Sequence, residues 1–143
     1  MEGIKVLLVD DEEDFRKTLA NRLRKRNFEV TEAEGGLQAL EALDRQAGDI
    51  VVLDVRMPGM DGLEVLKRIK EDHPRAEVIM LTGHASVESG IEGMRLGAFD
   101  YLMKPADTDL LIQKIQQAHK KRHDHQTKIL EAFGKELRER HGA

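Results

Sequence analysis

The chain has 143 residues, 40% of them hydrophobic and 35% charged, with no cysteine and a formal net charge of -4. That length suits one domain with a single substantial core, and the mixture excludes wholesale disorder and collagen-like or low-complexity classes. Disulfide frameworks, thiolate nucleophiles and cysteine-ligated zinc are excluded too, and net acidity with few aromatic residues argues against a surface that coats nucleic acid.

Ile4 to Val9, Ile50 to Leu53 and Val78 to Leu81 are short continuous apolar runs, the pattern of strands buried on both faces. Phe28 to Glu32 alternates apolar and polar residues, and Ala98 to Lys104 is interrupted by Asp100, so both are expected at sheet edges. Helical stripes fall between the strands: Phe15, Leu19 and Leu23; Leu37, Leu40 and Leu43; Leu63, Leu66 and Ile69; Val87, Ile91 and Met94; and Leu111, Ile115 and Ala118. Five strand-then-helix units predict a parallel α/β sheet. Right-handed crossovers, three buried strands and two partly polar edges fit the doubly wound flavodoxin-like order 2-1-3-4-5.

Residues 1–119 are read as this domain and 120–143 as a charged extension able to form an amphipathic helix, with Ile129, Phe133 and Leu137 spaced by four. The extension carries seven Lys/Arg against four Asp/Glu, a net of +3, which leaves -7 for residues 1–119. No apolar run approaches the ~20 residues of a membrane helix, and the acidic opening is unlike a signal peptide. A cytoplasmic protein without membrane contact is therefore expected.

Ligands of open α/β sheets bind beyond the carboxyl ends of the strands at the switch point, here between the first and third strands. Those strands end in Asp10-Asp11 and Asp54, the fourth in Thr82, and Lys104 follows the fifth. Adjacent strands lie ~4.8 Å apart, so three carboxylates would crowd into one cleft and repel. A retained proton or a divalent cation would relieve them, and the all-oxygen donor set favours Mg²⁺, or Mn²⁺ in its place. A carboxylate such as Asp54 can then serve as nucleophile toward a phosphoryl group, with Lys104 and the Thr82 hydroxyl on its oxygens.

LLVDDEED at 7–14, VVLDVRMPGMDG at 51–62, LTGHAS at 81–86 and GAFDYLMKP at 97–105 together resemble the receiver domain of two-component response regulators. The resemblance implies phosphoryl transfer to Asp54 from the phosphohistidine of a sensor histidine kinase or phosphotransfer protein, with Mg²⁺. It implies that Asp11 and Asp54 ligate the metal directly, Asp10 mainly through water, and the Arg56 backbone carbonyl as a third protein ligand. Thr82 and Lys104 would contact the phosphoryl oxygens, Tyr101 would be the switch aromatic, and the Lys104-Pro105 bond would be cis. The face of the fourth helix, fifth strand and fifth helix would carry the state to a downstream protein, a separated output domain or a second copy of the chain. Gly90 and Gly93 support a soft fourth helix.

Taken singly, these residues have plainer readings. Asp10 or Asp11 can cap a helix, Glu12, Glu13 and Asp14 suit the positive end of the first helix, and Asp61 looks like an N-cap. Pro58 and Gly59 set a turn, and His84 either influences water at the acyl phosphate or faces solvent. His119, His123, His125 and His141 cluster near the end and His119 and His123 share a helical face, but no acidic or cysteine partner stands at a recognised zinc spacing, so they read as part of a solvated basic tail. No helix-turn-helix pattern follows, so no sequence-specific DNA binding is expected. A Mg²⁺-dependent phosphatase working through an aspartyl phosphate is the alternative, although it would want an acid where Arg56 stands. A receiver serving only as scaffold is disfavoured because the acids are all present.

Overall fold

The apolar runs pair into one five-stranded parallel sheet in the order β2-β1-β3-β4-β5. A computed structural model describes residues 3–45, 48–55, 61–83 and 87–141. The strands are β1 (Lys5–Val9), β2 (Glu29–Ala33), β3 (Ile50–Leu53), β4 (Glu77–Thr82) and β5 (Asp100–Met103). They alternate with α1 (Glu13–Lys25), α2 (Gly36–Asp44), α3 (Gly62–Asp72), α4 (Val87–Arg95) and α5 (Thr108–His141).

Successive side chains of a strand point to opposite faces, so each apolar run feeds two cores. Leu7, Val9, Val51, Leu53, Val78 and Met80 pack with Ala39, Ala42 and Leu43 of α2 and Val65, Leu66 and Ile69 of α3. Val6, Leu8, Ile50, Val52, Ile79 and Leu81 pack with Leu19, Ala20 and Leu23 of α1 and Leu111, Ile112, Ile115 and Ala118 of α5. The sheet is thus covered on both sides, as all-parallel sheets must be. Edge strands β2 and β5 are only partly buried, in keeping with their mixed sequences.

Two helical stripes differ from expectation. Leu37 is 62% exposed, and the small residues Gly36, Ala39 and Ala42 join Leu43 as the buried face of α2. In α4, Ile91 and Met94 are each 48% exposed, while Gly93 approaches the sheet so closely that a Cβ there would collide with the flexible tip of Met80. In both helices close approach to the sheet selects small residues, and Leu37, Ile91 and Met94 face water although Leu40 and Leu43 of the α2 stripe pack inward as expected. Gly97, at a φ of +102°, turns the chain after α4, and the Ala98 amide donates back to the Gly93 carbonyl at 3.0 Å.

Helix α5 runs on through residue 120 without a break and spans 34 residues, ~51 Å at the α-helical rise. Past Ala118 it is held by Lys121 on Glu77 at 3.4 Å and Arg122 on Asp49 at 3.5 Å, while Ile129, Leu130 and Phe133 farther along face solvent. No helix among the described residues is long and apolar enough to cross a membrane.

Candidate functional site

The first and third strands are neighbours with Val9 beside Leu53, so the residues that follow them, Asp10 and Asp54, emerge side by side. Each backbone is fixed by an adjacent strand: the Asp54 amide donates to the Val9 carbonyl at 3.0 Å and the Asp10 amide to that of Ala33 at 3.1 Å. Both carboxylates are buried, with residue exposures of 2% and 4%. Lys104, just past β5, reaches in from the far side. Its Nζ lies 2.6 Å from Asp10, 3.2 Å from Glu12 and 3.4 Å from Asp54.

Crowded carboxylates are therefore relieved in a way the linear pattern does not suggest, by an ammonium shared among them. Burial works against the charge on Lys104, yet the hydrogen bond and charge of Asp10, the charge of Asp54 and the Glu12 contact outweigh it and lift its pKa above the ordinary lysine value. The ammonium also sits 4.3 Å from the centre of the Phe15 ring, a cation-π contact from the opening turn of α1.

One oxygen each from Asp10, Glu12 and Asp54 lies within 4.8 Å of the other two, a spacing that could hold a metal ion. Three carboxylates against one ammonium leave two formal negative charges, which fits a hard dication with oxygen ligands. Glu12 belongs to this group as well as starting α1, because Asp10 Oδ1 accepts from the Glu12 amide at 2.9 Å and folds that residue back over the cleft. Asp10 thus closes a turn ahead of α1 without capping the helix, whose N-cap residue is Glu12, and lines the site as well. Asp11 is exposed and stands outside the converging group.

Thr82 closes β4 at the same end of the sheet, and its side chain lies outside what the structure describes. Arg56, Pro58, Gly59 and His84 also lie outside the described residues. Tyr101 sits in β5 with its ring against α4, where a Cβ on Gly90 would lie 3.6 Å from it. Its hydroxyl is enclosed and has no hydrogen-bond partner among the described residues, and burial raises its pKa. The Lys104-Pro105 bond is cis, as expected. Asp61 caps α3 by accepting from the Leu63 amide at 3.1 Å.

Two positioning residues escaped the sequence reading. Arg16 is buried; its guanidinium donates to the Asp10 carbonyl at 2.8 Å and pairs with Glu32 at 3.1 Å, tying the turn after β1 to β2. Its charge in a helix full of charges carries no linear mark. Gly62 opens α3 directly behind Asp54, and a Cβ there would come within 2.6 Å of the backbone of Asp54 and Val55. The only hint was a glycine after a capping aspartate.

A doubly wound parallel sheet with an acidic pocket and a lysine at its switch point defines a receiver-type signalling domain. The family model for the response regulator receiver domain matches residues 6–116, and the chain belongs to that family. It is 40% identical to the DNA-binding transcriptional regulator NtrC of Escherichia coli over 113 residues, 79% of this chain and 24% of that protein. It is 37% identical to the regulatory protein AtoC of the same organism over 139 residues, 97% of this chain and 28% of that one. The chain thus spans about a quarter of the length of these curated relatives. Among solved structures, the receiver domain of NtrX from Brucella abortus superposes with a TM-score of 0.75 at 36% identity, covering 79% of this chain and 96% of that one. A CheY-like receiver from Methanospirillum hungatei gives 0.81 at 26% identity, covering 87% and 98%.

Proposed function

We propose that this chain accepts a phosphoryl group on Asp54 from the phosphohistidine of a sensor histidine kinase or phosphotransfer protein and thereby switches a protein-binding face. The convergence of buried Asp10 and Asp54 with Glu12 and Lys104 at the switch point carries this reading. An Asp54 carboxylate oxygen forms the new P–O bond, the P–N bond to the donor imidazole breaks, and the imidazole leaves as the neutral base after taking a proton. Lys104, now poised on Asp54, stabilises charge on the phosphoryl oxygens, and Thr82 at the end of β4 supplies a hydroxyl to them. As the family motifs imply, Asp11 and Asp54 would hold Mg²⁺ or Mn²⁺ directly, with the Arg56 carbonyl as a third ligand and Asp10 mainly through water, and Glu12 adds a carboxylate to the same cleft. Held there, such an ion would supply neutralisation of the residual negative charge and Lewis-acid stabilisation of the phosphoryl group.

The new charge on Asp54 draws Lys104 and Thr82 toward it, and Tyr101 and α4 respond to that shift. Ile91 and Met94 of α4, Met103 of β5 and Leu110 of α5 are all large and at least 40% exposed, which suits a face that meets a downstream protein, an output domain or a second copy. Gly90 and Gly93 lower the cost of shifting α4, so hydrogen exchange in this helix should differ between the free chain and one carrying a phosphoryl mimic; equal protection overturns that part of the reading.

The deciding experiment is incubation with a small phosphodonor and Mg²⁺ followed by intact mass. One hydroxylamine-labile phosphoryl group, absent in Asp54→Asn, supports the assignment; label persisting in the variant overturns it. Rapid turnover of unrelated phosphate esters would indicate a phosphatase instead.

A further inference from the structure

The opposite end of the sheet carries a second feature that the receiver reading does not use. A groove of about 750 Å³ opens between the end of α3, the start of β4, the turn before β5 and the prolonged part of α5. Six cations line it, Lys70, Arg75, Lys120, Lys121, Arg122 and Lys128, against two acids, Glu77 and Asp124. In a chain whose net charge is -4, this is a strong local reversal of sign.

The cations are not all consumed by internal pairs. Lys70 donates to the Pro74 and Ala76 carbonyls at 3.0 and 2.8 Å, Lys121 holds Glu77, and Arg122 holds Asp49. Among the described residues, Arg75, Lys120 and Lys128 have no ion-pair or hydrogen-bond partner. The Nε of Arg122 is buried and makes no hydrogen bond among the described residues. Arg75 and Arg122 also line an adjoining recess of about 480 Å³, so the two guanidiniums stand where the spaces meet. Guanidinium and ammonium groups converging on a concavity of this size suit an anion with several neighbouring charges. Among the described residues no Phe, Tyr or Trp lines either space, and only His125 in the groove and His73 in the recess offer a ring, so the phosphate-binding groups outnumber any surface for a base.

We propose that this groove binds a small molecule bearing several linked phosphoryl groups, through Arg75, Lys120, Arg122 and Lys128. Inorganic polyphosphate and the phosphate chain of a nucleoside polyphosphate share that chemistry. Occupancy would clamp the prolonged part of α5 onto the α3–β4 connection, far from the acidic cleft, and does not depend on phosphorylation of Asp54.

Calorimetry on the full chain, without divalent metal and at low ionic strength, tests this with sodium tripolyphosphate, ATP and sulfate. Saturable one-site binding of tripolyphosphate is expected, weaker for sulfate, and reduced roughly tenfold or more by Lys120→Glu with Lys128→Glu. Lys25→Glu, on the exposed face of α1, should leave it unchanged. Equal affinity for ATP assigns recognition to the phosphate chain, and tighter ATP binding adds a nucleoside contact; both support the site. Lys120→Gln with Lys128→Gln serves if the reversed charges disturb folding by circular dichroism, and amide shifts at Gly97 and Gln117 report occupancy directly. Absence of binding, equal loss in Lys25→Glu, sulfate binding as tightly as tripolyphosphate, or an oligonucleotide that tripolyphosphate cannot displace would each overturn the proposal.

Discussion

The two ends of this sheet hold opposite charge and handle it differently. At the carboxyl ends of the strands, Asp10, Glu12 and Asp54 share one ammonium and remain negative in balance. At the amino ends, six cations line a groove with two acids, and three of the cations are unpaired among the described residues. The topology accounts for part of this sorting. In a parallel α/β sheet, helix N-termini gather at the carboxyl ends of the strands and helix C-termini at the amino ends, and the helix dipoles favour acids at the first and bases at the second. Glu13 and Asp14 open α1 and Arg22, Arg24 and Lys25 fall in its last turn, whereas α3 ends on Glu71 and Asp72 and owes its part of the basic end to Lys70. Charge that looks scattered along the chain is therefore collected by end, and burial decides how tightly it must be paired.

The sharpest break in the comparison is chemical. Asp54→Asn should abolish acceptance of a phosphoryl group, whereas charge reversal at Lys120 and Lys128 should leave the extent of labelling unchanged; both are read by intact mass. Next in size is Lys104→Met, which strands two buried carboxylates without their cation and should cost on the order of 3 kcal/mol in denaturant unfolding without metal. Added Mg²⁺ should recover more stability in that variant than in the parent, since the dication then replaces the missing ammonium. Equal stabilisation of both would argue against a shared pocket.

Gly62→Ala should destabilise the fold by about 2 kcal/mol, because its Cβ meets backbone rather than a movable side-chain tip. It should also slow labelling of Asp54 by displacing the strand end. Gly90→Ala, with ordinary contact to the Tyr101 ring, is the matched control and should be tolerated.

The lysines at the two ends should titrate in opposite senses. Lys104 is held above the ordinary lysine value, so its contribution to stability is full below that value and is lost as pH rises through its folded pKa. Lys70 is pushed below by burial, with Glu77 opposing and Lys121 adding to the effect; its contribution is present above the ordinary value and is lost as pH falls through its depressed pKa. Carbon-detected NMR of the lysine side chains should therefore show Lys70 deprotonating first, and the reverse order would sink this electrostatic picture. The smallest effect is expected at Tyr101→Phe. Removing an enclosed hydroxyl that lacks a partner among the described residues should stabilise the chain by up to about 1 kcal/mol, and a loss of that size would reveal a hidden hydrogen bond.

Asp10 and Asp54 were legible in the sequence because strands buried on both faces are marked by uninterrupted apolar runs, and the first polar residue after each run has to emerge at one edge. Leu37 and Ile91 show where periodicity stops: a stripe fixes a helix but not which of two adjacent faces meets the sheet, and here small residues win the contact. Glu12 was read as a helix-end acid because its second role depends on a turn closed by Asp10. The convergence of Lys104 on three acids joins residues 92 and 50 positions apart, a distance across which no local pattern carries information.

By itself, the order of residues determined the parallel sheet, its strand sequence, its edges and the end at which acids would gather, since each follows from local periodicity and the handedness of crossovers. Only the tertiary structure decided that a lysine neutralises part of that acidity, that Arg16 and Gly62 hold the two strand ends in place, and that α5 runs on to complete a basic groove. Those outcomes depend on directions and distances between segments far apart in the chain, and such distances are set by packing.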